Sequence, residues 1–378
     1  MRVKNLNTNL ITQTALTSTE EDKSSVLRAE VKRRSFLKGI GMTGMALSAG
    51  AIFANEANAA PNKSALSKGD AAILRFLAAA ELLETDLWQQ YTELGGVTSG
   101  KQNHYQKALQ RLDGDGSQYI TSNTLDELSH AEFLNAYLIS KGAEPVDLDA
   151  FRTLPSSQAN GAQNIGRLTS LFNLTVDTSW YTRYRSTQNP DFGATFPQAI
   201  DLINVPAIPR TNDDFAPRDH IQAIANTAAF HFAMIEQGGS TLYSAMVQKA
   251  SDVEVLRIVV SIGGDEVAHF LEWVDFAGNG VQTPIAPFTD PTNGLTFPDF
   301  NATGNPELQT NLIFPIPCEF ISANLPRCAV IRPTDPRGIA MGVVNFLTGT
   351  GLFAGQSPEF FKILNTLAAQ ADAAERGF

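Results

Sequence analysis

Hydrophobic residues recur at helical spacing in four long segments of the chain, with polar residues between them. Ile73, Leu74 and Leu77 begin the first such series, and the other three segments repeat the pattern. The predicted helices span residues 69–94, 121–141, about 218–249 and about 252–277. Glycines follow the first, second and fourth helices, where they favour helix ends, and Pro217 favours the start of the third. Asn123 or Thr124 can cap the second helix.

The segments between and after these helices set the predicted topology. Residues 97–120 should form a loop with a short helix, and the long connection 143–217 should contain a helix over 161–185. Residues 281–336, rich in Pro, Asn, Phe and Thr, should be extended loop, and 337–376 should be helical in two pieces. This order predicts an all-α, ferritin-like four-helix bundle with a long crossover between the second and third helices and an irregular C-terminal extension.

The first 59 residues have the parts of a bacterial twin-arginine export signal. They are the pair Arg33-Arg34, an apolar run over 39–54 and the closing triplet Ala57-Asn58-Ala59. The apolar run is shorter than the ~20 residues that a membrane span needs. We therefore expect recognition by the twin-arginine export machinery, cleavage after Ala59 and a periplasmic or extracellular protein. An uncleaved amphipathic anchor is the alternative.

The rest of the chain divides into two predicted regions. Residues 60–280 would form the four-helix bundle with its crossover insertion, and residues 281–378 would form a loop-rich extension with C-terminal helices packed on it. The formal net charge of −11 argues against a nucleic-acid partner, because phosphates require a basic surface. Cys318 and Cys328 form no C-x-x-C motif, and a disulfide between them in an exported protein stays open.

Two helices carry the same short motif, a glutamate followed three residues later by a histidine. On a helix, residues three apart share a face, so each motif directs a carboxylate and an imidazole to one point. The other two long helices each hold a glutamate inside an apolar stretch, and a buried carboxylate requires a partner. Two cations of Fe or Mn bridged by carboxylates would satisfy all these groups, and the predicted ligands are Glu81, Glu127, His130, Glu236, Glu266 and His269.

Each part of this pattern has a simpler reading. A single Glu-x-x-His often lies on a solvated helix surface, and Glu236 alone could pair with a lysine. The metal hypothesis depends on both motifs occurring on helices, each preceded by an apolar helix that carries a glutamate. Glu84 is a rival ligand one turn from Glu81, and Glu272 lies one turn after His269. Trp88 and Tyr243 each lie seven residues after a predicted ligand, where they would either hydrogen-bond a carboxylate or fill the core.

These helices resemble the ferritin-like domain of plant desiccation-related proteins, exported bacterial relatives and fungal stress-response proteins. The resemblance covers residues 70–277 and is carried by ILRFLAAAELLETDLWQQY (73–91), ELSHAEFLNAYL (127–138), IEQGGSTLYSA (235–245) and IGGDEVAHFLEW (262–273). The family motif places its first ligand eight residues after Ile73, which implies Glu81 rather than Glu84. It implies the same other five ligands, and Trp88 stands where the family usually has tyrosine.

Two classes of function follow from these patterns. One is an oxidoreductase in which a di-iron or di-manganese centre acts on O2, peroxide or ferrous iron in stress protection, with ferroxidase- or catalase-like chemistry. The other is a non-catalytic desiccation or envelope-stress protein whose metal is structural or vestigial. The sequence does not choose between iron and manganese, and it leaves the formation of a homo-oligomer open.

Overall fold

The computed structural model describes residues 65–97, 104–186, 196–309, 313–317, 321–322, 324–330 and 335–376. The proposed export signal and Cys318 lie outside these residues, so the signal, its cleavage and the disulfide stay predictions. In the described part of the chain, none of the helices combines the length and the hydropathy that a membrane crossing requires.

The described residues are mainly helical and contain little strand, which confirms the prediction of an all-α protein. The helices are α1 (Lys68–Gly95), α2 (His104–Leu112), α3 (Gly116–Ser140), α4 (Trp180–Arg183), α5 (Arg218–Met246), α6 (Val253–Asn279), α7 (Ile339–Gly349) and α8 (Pro358–Asp372). Short antiparallel pairs join β1 (Leu174–Val176) to β2 (Leu202–Val205), β3 (Phe288–Thr289) to β4 (Thr296–Phe297) and β5 (Pro315–Ile316) to β6 (Cys328–Ala329).

The four long helices pack as two pairs, α1 with α3 and α5 with α6. Their contact faces bury large side chains such as Trp88, Phe232 and Trp273, which exclude water from the space between the pairs. Local signals set the helix starts: the Ser67 hydroxyl accepts the Asp70 N–H at 3.0 Å at the start of α1. The finer assignment, ferritin-like connectivity of these helices, stays a prediction.

The second long helix begins earlier than its sequence pattern predicts. It starts at Gly116 rather than Thr121, so Asn123 and Thr124 lie inside α3 and do not cap it. Thr124 donates to the carbonyl of Ile120 at 2.7 Å, a bond that an interior helix position allows. Gly142, at φ +73°, ends the helix as predicted, because glycine adopts the left-handed conformation at little cost.

The helix predicted over residues 161–185 is wrong apart from the single turn of α4. Several backbone N–H groups in this segment bond to distant parts of the molecule. The buried carboxylate of Asp86 accepts the N–H groups of Leu168 and Thr169, and Ser170 donates to the carbonyl of Leu352 at 2.8 Å. These tertiary partners stabilise an extended path that the local hydrophobic spacing does not indicate.

The C-terminal residues form two helices, as predicted, and α8 packs along α1. Lys249, which follows α5, donates to the carbonyls of Asp372 and Ala374 at 2.6 and 3.1 Å. A cation at the last carbonyls of a helix is favoured because they have no partner within the helix. These bonds fix the end of α8 against the long helices.

Candidate metal centre

Each of the four long helices places one glutamate between the two helix pairs. Their side chains are buried: Glu81 is 1% exposed, and Glu127, Glu236 and Glu266 are 0% exposed. His130 and His269 lie one turn after Glu127 and Glu266 on the same helix faces, as the three-residue spacing predicts. The structure therefore brings all six predicted ligands together.

The first group of possible ligand atoms surrounds His130. Its Nδ1 lies 3.3 Å from Glu127 Oε2, 3.4 Å from Glu81 Oε2 and 3.6 Å from Glu266 Oε1. The second group surrounds His269, whose Nδ1 lies 3.1 Å from Glu127 Oε1 and 3.3 Å from Glu236 Oε2. Within each group one atom per residue lies within 4.8 Å of all the others.

The two groups share Glu127 and Glu266, one carboxylate from each helix pair. Each of these residues has two oxygens, so it can face both groups at once. The arrangement thus offers two adjacent cation positions with common carboxylates. Glu127 and Glu266 are the glutamates of the two Glu-x-x-His motifs.

The carboxylates lack the partners that buried charges require. In the described part of the chain, no Lys or Arg nitrogen lies within 4.0 Å of them, and their ion pairs are to the two histidines. Glu81 Oε2, Glu236 Oε2 and both oxygens of Glu266 have no hydrogen-bond partner among the described residues. Bound divalent cations would neutralise the charge and coordinate these oxygens, so the residues fit a metal pair.

The pKa values of the cluster residues reflect the same excess of buried negative charge. Burial and then the charge of Glu236 raise the pKa of Glu127 to about 8, although bonds from both histidines oppose the shift. Burial alone would lower the pKa of His130, but Glu127 and Glu81 outweigh it and raise the pKa to about 10. Without metal, protons therefore occupy part of the cluster at neutral pH.

Two aspartates face the outer nitrogens of the imidazoles, and sequence reasoning missed both. His130 Nε2 lies 3.2 Å from Asp265 Oδ2, and His269 Nε2 lies 3.5 Å from Asp126 Oδ2. Asp126 precedes Glu127 and Asp265 precedes Glu266, so each aspartate belongs to one motif and faces the histidine of the other. This repeated Asp-Glu pair was visible in the sequence. A carboxylate at the outer nitrogen favours a proton there and leaves Nδ1 to bind a metal.

Asn123, which the sequence suggested as a helix cap, instead lies inside α3 and contacts the cluster. Its amide donates to Glu127 Oε1 at 2.7 Å and to Glu236 Oε1 at 3.1 Å. Its oxygen accepts the indole N–H of Trp273 at 2.6 Å. Asn123 thus links two ligands from different helix pairs, and its position four residues before Glu127 was the available signal.

Four further residues were predicted to lie around the ligands: Glu84, Trp88, Tyr243 and Glu272. The predictions for these residues have different outcomes. Tyr243 donates its hydroxyl to Glu81 Oε1, which is the first of the two alternatives that its position left open. Trp88 stacks on Trp273 with ring centroids 5.2 Å apart, and its Nε1 has no partner among the described residues, so it fills the core. Glu84 is not in either ligand group, but burial and then the charge of Glu127 raise its pKa well above the ordinary value.

Glu272, whose position one turn after His269 would also allow it to face inward, belongs to neither ligand group. Burial raises its pKa, followed by the charges of Asp113, Asp275 and Asp115, which surround the turn before α3. The charges that act on Glu272 are therefore those of aspartates outside the ligand groups.

Comparison with known proteins adds no assignment to this geometry: no protein-family model, curated protein or solved structure matches the chain.

Proposed function

We propose that this chain is an exported ferritin-like protein that binds two Fe or Mn ions and performs oxidoreductase chemistry on O2, peroxide or ferrous iron in stress protection. The observation that carries the proposal is the pair of ligand groups sharing Glu127 and Glu266. Four carboxylates with only two imidazoles suit iron or manganese better than softer metals, which prefer sulfur or more nitrogen.

A bound metal pair would supply redox chemistry and Lewis acidity. The protein residues divide the remaining tasks. Glu127 and Glu266 would bridge the ions, while Glu81 with His130 and Glu236 with His269 would complete each side. The hydroxyl of Tyr243 would fix the orientation of Glu81, and Asn123 would fix that of Glu236.

Metal content and turnover test this proposal. Purified protein should contain about two Fe or Mn per chain, a stoichiometry that a pair of binding sites requires. It should also consume peroxide, or oxidise ferrous iron with O2, faster than the free metal does. Glu266→Ala should abolish both properties, because Glu266 belongs to both ligand groups.

Glu272→Ala is the matched control, since it removes a partly buried glutamate from the same helix at a position outside the cluster. This variant should keep its metal and its turnover. Wild-type protein that binds metal and shows neither activity would support the non-catalytic alternative. Protein that binds no metal under loading conditions would contradict the proposal entirely.

The export part of the proposal depends on Arg33 and Arg34. Replacing both by lysine keeps the charge but removes the twin-arginine recognition element. The variant should remain in the cytoplasm while the wild-type protein appears outside it with a mature N-terminus at Ala60. Equal export of both proteins would contradict this assignment.

A further inference from the structure

A small cavity of about 40 Å³ lies beside the candidate metal centre, between α1 and α5 on one side and the C-terminal helices on the other. Its walls are almost entirely apolar. Phe76 and Leu83 come from α1, Leu242 from α5, Val344 from α7 and Leu364 from α8. The C-terminal extension therefore closes one side of a space next to the ligands.

Two residues connect this cavity to the metal centre. Among the described residues of the wall, Glu84 is the only ionisable one, and its buried Oε2 has no hydrogen-bond partner among them. Gly239 also lines the cavity, and a methyl group at this position would overlap Glu266 Oε2. The backbone of Gly239 thus contacts both the cavity and a shared ligand of the proposed metal pair.

The size and polarity of the cavity limit what can occupy it. A single water needs roughly 10–15 Å³ and two to four polar partners, so the volume would hold a few atoms but the walls would not hold water well. Peroxide needs hydrogen bonds at both ends, and a ferrous ion needs several oxygen ligands. A small apolar molecule has no hydrogen bonds to lose when it enters a cavity with such apolar walls.

We propose that this cavity binds dioxygen and delivers it to the metal centre past Glu84 and Gly239. The inference rests on the proposed function and narrows it, because it selects O2 over peroxide and ferrous iron as the molecule that enters on this side. The C-terminal extension then has a specific task, since Val344 and Leu364 complete the wall that keeps the site apolar.

Xenon tests the cavity separately from the metal, because it is apolar and fits sites that hold dioxygen. The full chain should be stripped of metal with a chelator, and its crystals exposed to xenon gas. We expect one xenon between Leu83, Leu242 and Val344. The absence of xenon there would overturn the inference, whatever the metal content of the protein.

Gly238 offers a way to fill the cavity. It lines the space, and a Cβ atom added at this position would meet no heavy atom of the described residues within 4 Å, apart from the adjacent backbone of its own helix. Gly238→Leu should abolish xenon binding, while leucine is favoured over glycine in a helix. Gly342→Leu is the matched control, because Gly342 is an exposed residue of α7 outside the cavity wall, and a Cβ atom there also meets nothing within 4 Å.

Kinetics of the metal-loaded protein then test the ligand. Gly238→Leu should raise the KM for O2 several-fold and leave the KM for peroxide or ferrous iron unchanged, and Gly342→Leu should change neither. Gly238→Ala, a smaller filling, should lie between wild type and Gly238→Leu and serves if the leucine variant does not fold. An unchanged KM for O2 in a variant that has lost xenon would overturn the role assigned to the cavity.

The two experiments separate the two proposals. Xenon bound by a protein that never takes up Fe or Mn would contradict the proposed function and also remove the delivery role of the cavity. A protein that loads two metals and turns over peroxide, but binds no xenon at this place, would keep the proposed function and overturn only the inference.

Discussion

Glu81 on α1 and Glu236 on α5 occupy corresponding places in the two helix pairs, but different groups hold their carboxylates. The hydroxyl of Tyr243, from α5, donates to Glu81, and the amide of Asn123, from α3, donates to Glu236. In each case the partner comes from the other helix pair. The orientation of Glu81 and Glu236 therefore depends on how the two pairs pack.

The halves also differ one turn beyond these ligands. Glu84 follows Glu81 by three residues, and Gly239 follows Glu236 by three. Glu84 and Gly239 both line the apolar cavity. A side chain at position 239 would overlap Glu266, whereas Glu84 has an oxygen with no hydrogen-bond partner among the described residues. Similar ligand positions thus have unlike surroundings, although both helices border the same apolar space.

The largest expected effect separates shared from unshared ligands. Glu127→Ala should reduce the metal content from two ions to none, because Glu127 belongs to both ligand groups. Glu81→Ala should leave one ion, since Glu81 belongs only to the group around His130. Metal analysis of dialysed protein measures both stoichiometries. Equal losses in the two variants would contradict the division of the cluster into two positions.

The response to pH should be opposite in the metal-free and metal-bound protein. The folded-state pKa values, about 8 for Glu127 and about 10 for His130, lie above their ordinary values of 4.5 and 6.5. The metal-free folded state therefore binds more protons than the unfolded state, so its stability should fall as pH rises from about 4.5 to 10. Metal must displace these protons, so its affinity should rise about tenfold per pH unit for each proton released.

Urea unfolding at several pH values measures the first trend, and competition with a chelator measures the second. The pKa of His269, in the second ligand group, shifts in the same direction as that of His130. Burial would lower the pKa of His269, but the charge of Glu236 and the hydrogen bonds that the imidazole donates to Asp126 and Glu127 raise it well above the ordinary value. Metal-free stability that increases with pH over this range would contradict the excess of buried carboxylates.

Gly239→Ala tests how closely α5 approaches Glu266. Its new methyl would overlap the carboxylate of Glu266, which must move away from its place in the cluster. Overpacking of this kind costs about 1–3 kcal/mol in the free energy of unfolding. Gly238→Ala, on the same helix, meets no atom and should instead stabilise by about 0.5–1 kcal/mol, because alanine favours a helix. Thermal or urea unfolding of both variants compares them, and equal stabilities would contradict the close approach.

The smallest effect concerns the two aromatic residues seven positions after Glu81 and Glu236. Tyr243→Phe removes the hydroxyl that donates to Glu81 and should lower metal affinity by about tenfold, as loss of a ligand's hydrogen-bond partner does. Trp88→Phe removes a core ring that donates no bond to the cluster, so it should reduce stability more than affinity. Competition with a chelator measures the metal affinity of each variant, and urea unfolding measures its stability. A larger loss of metal affinity in Trp88→Phe than in Tyr243→Phe would contradict this assignment.

The sequence by itself determined where the four long helices lie and which six side chains converge between them. Periodicity alone locates Arg218–Met246 and Val253–Asn279 within three residues, because an amphipathic helix repeats its hydrophobic face every turn. The spacing of Glu127 and His130 fixes their common face for the same reason. Where local spacing carries the information, the structure agrees.

Tertiary structure decided what local spacing cannot encode. Residues 161–179 are not helical because Asp86 and Leu352, distant in sequence, accept their N–H groups. Asn123 becomes the link between Glu127 and Glu236, and Asp265 faces His130, only because helices from different pairs meet. The cavity likewise exists only where the C-terminal helices close against α1 and α5. Such contacts join residues far apart in the chain, so their positions follow from packing rather than from periodicity.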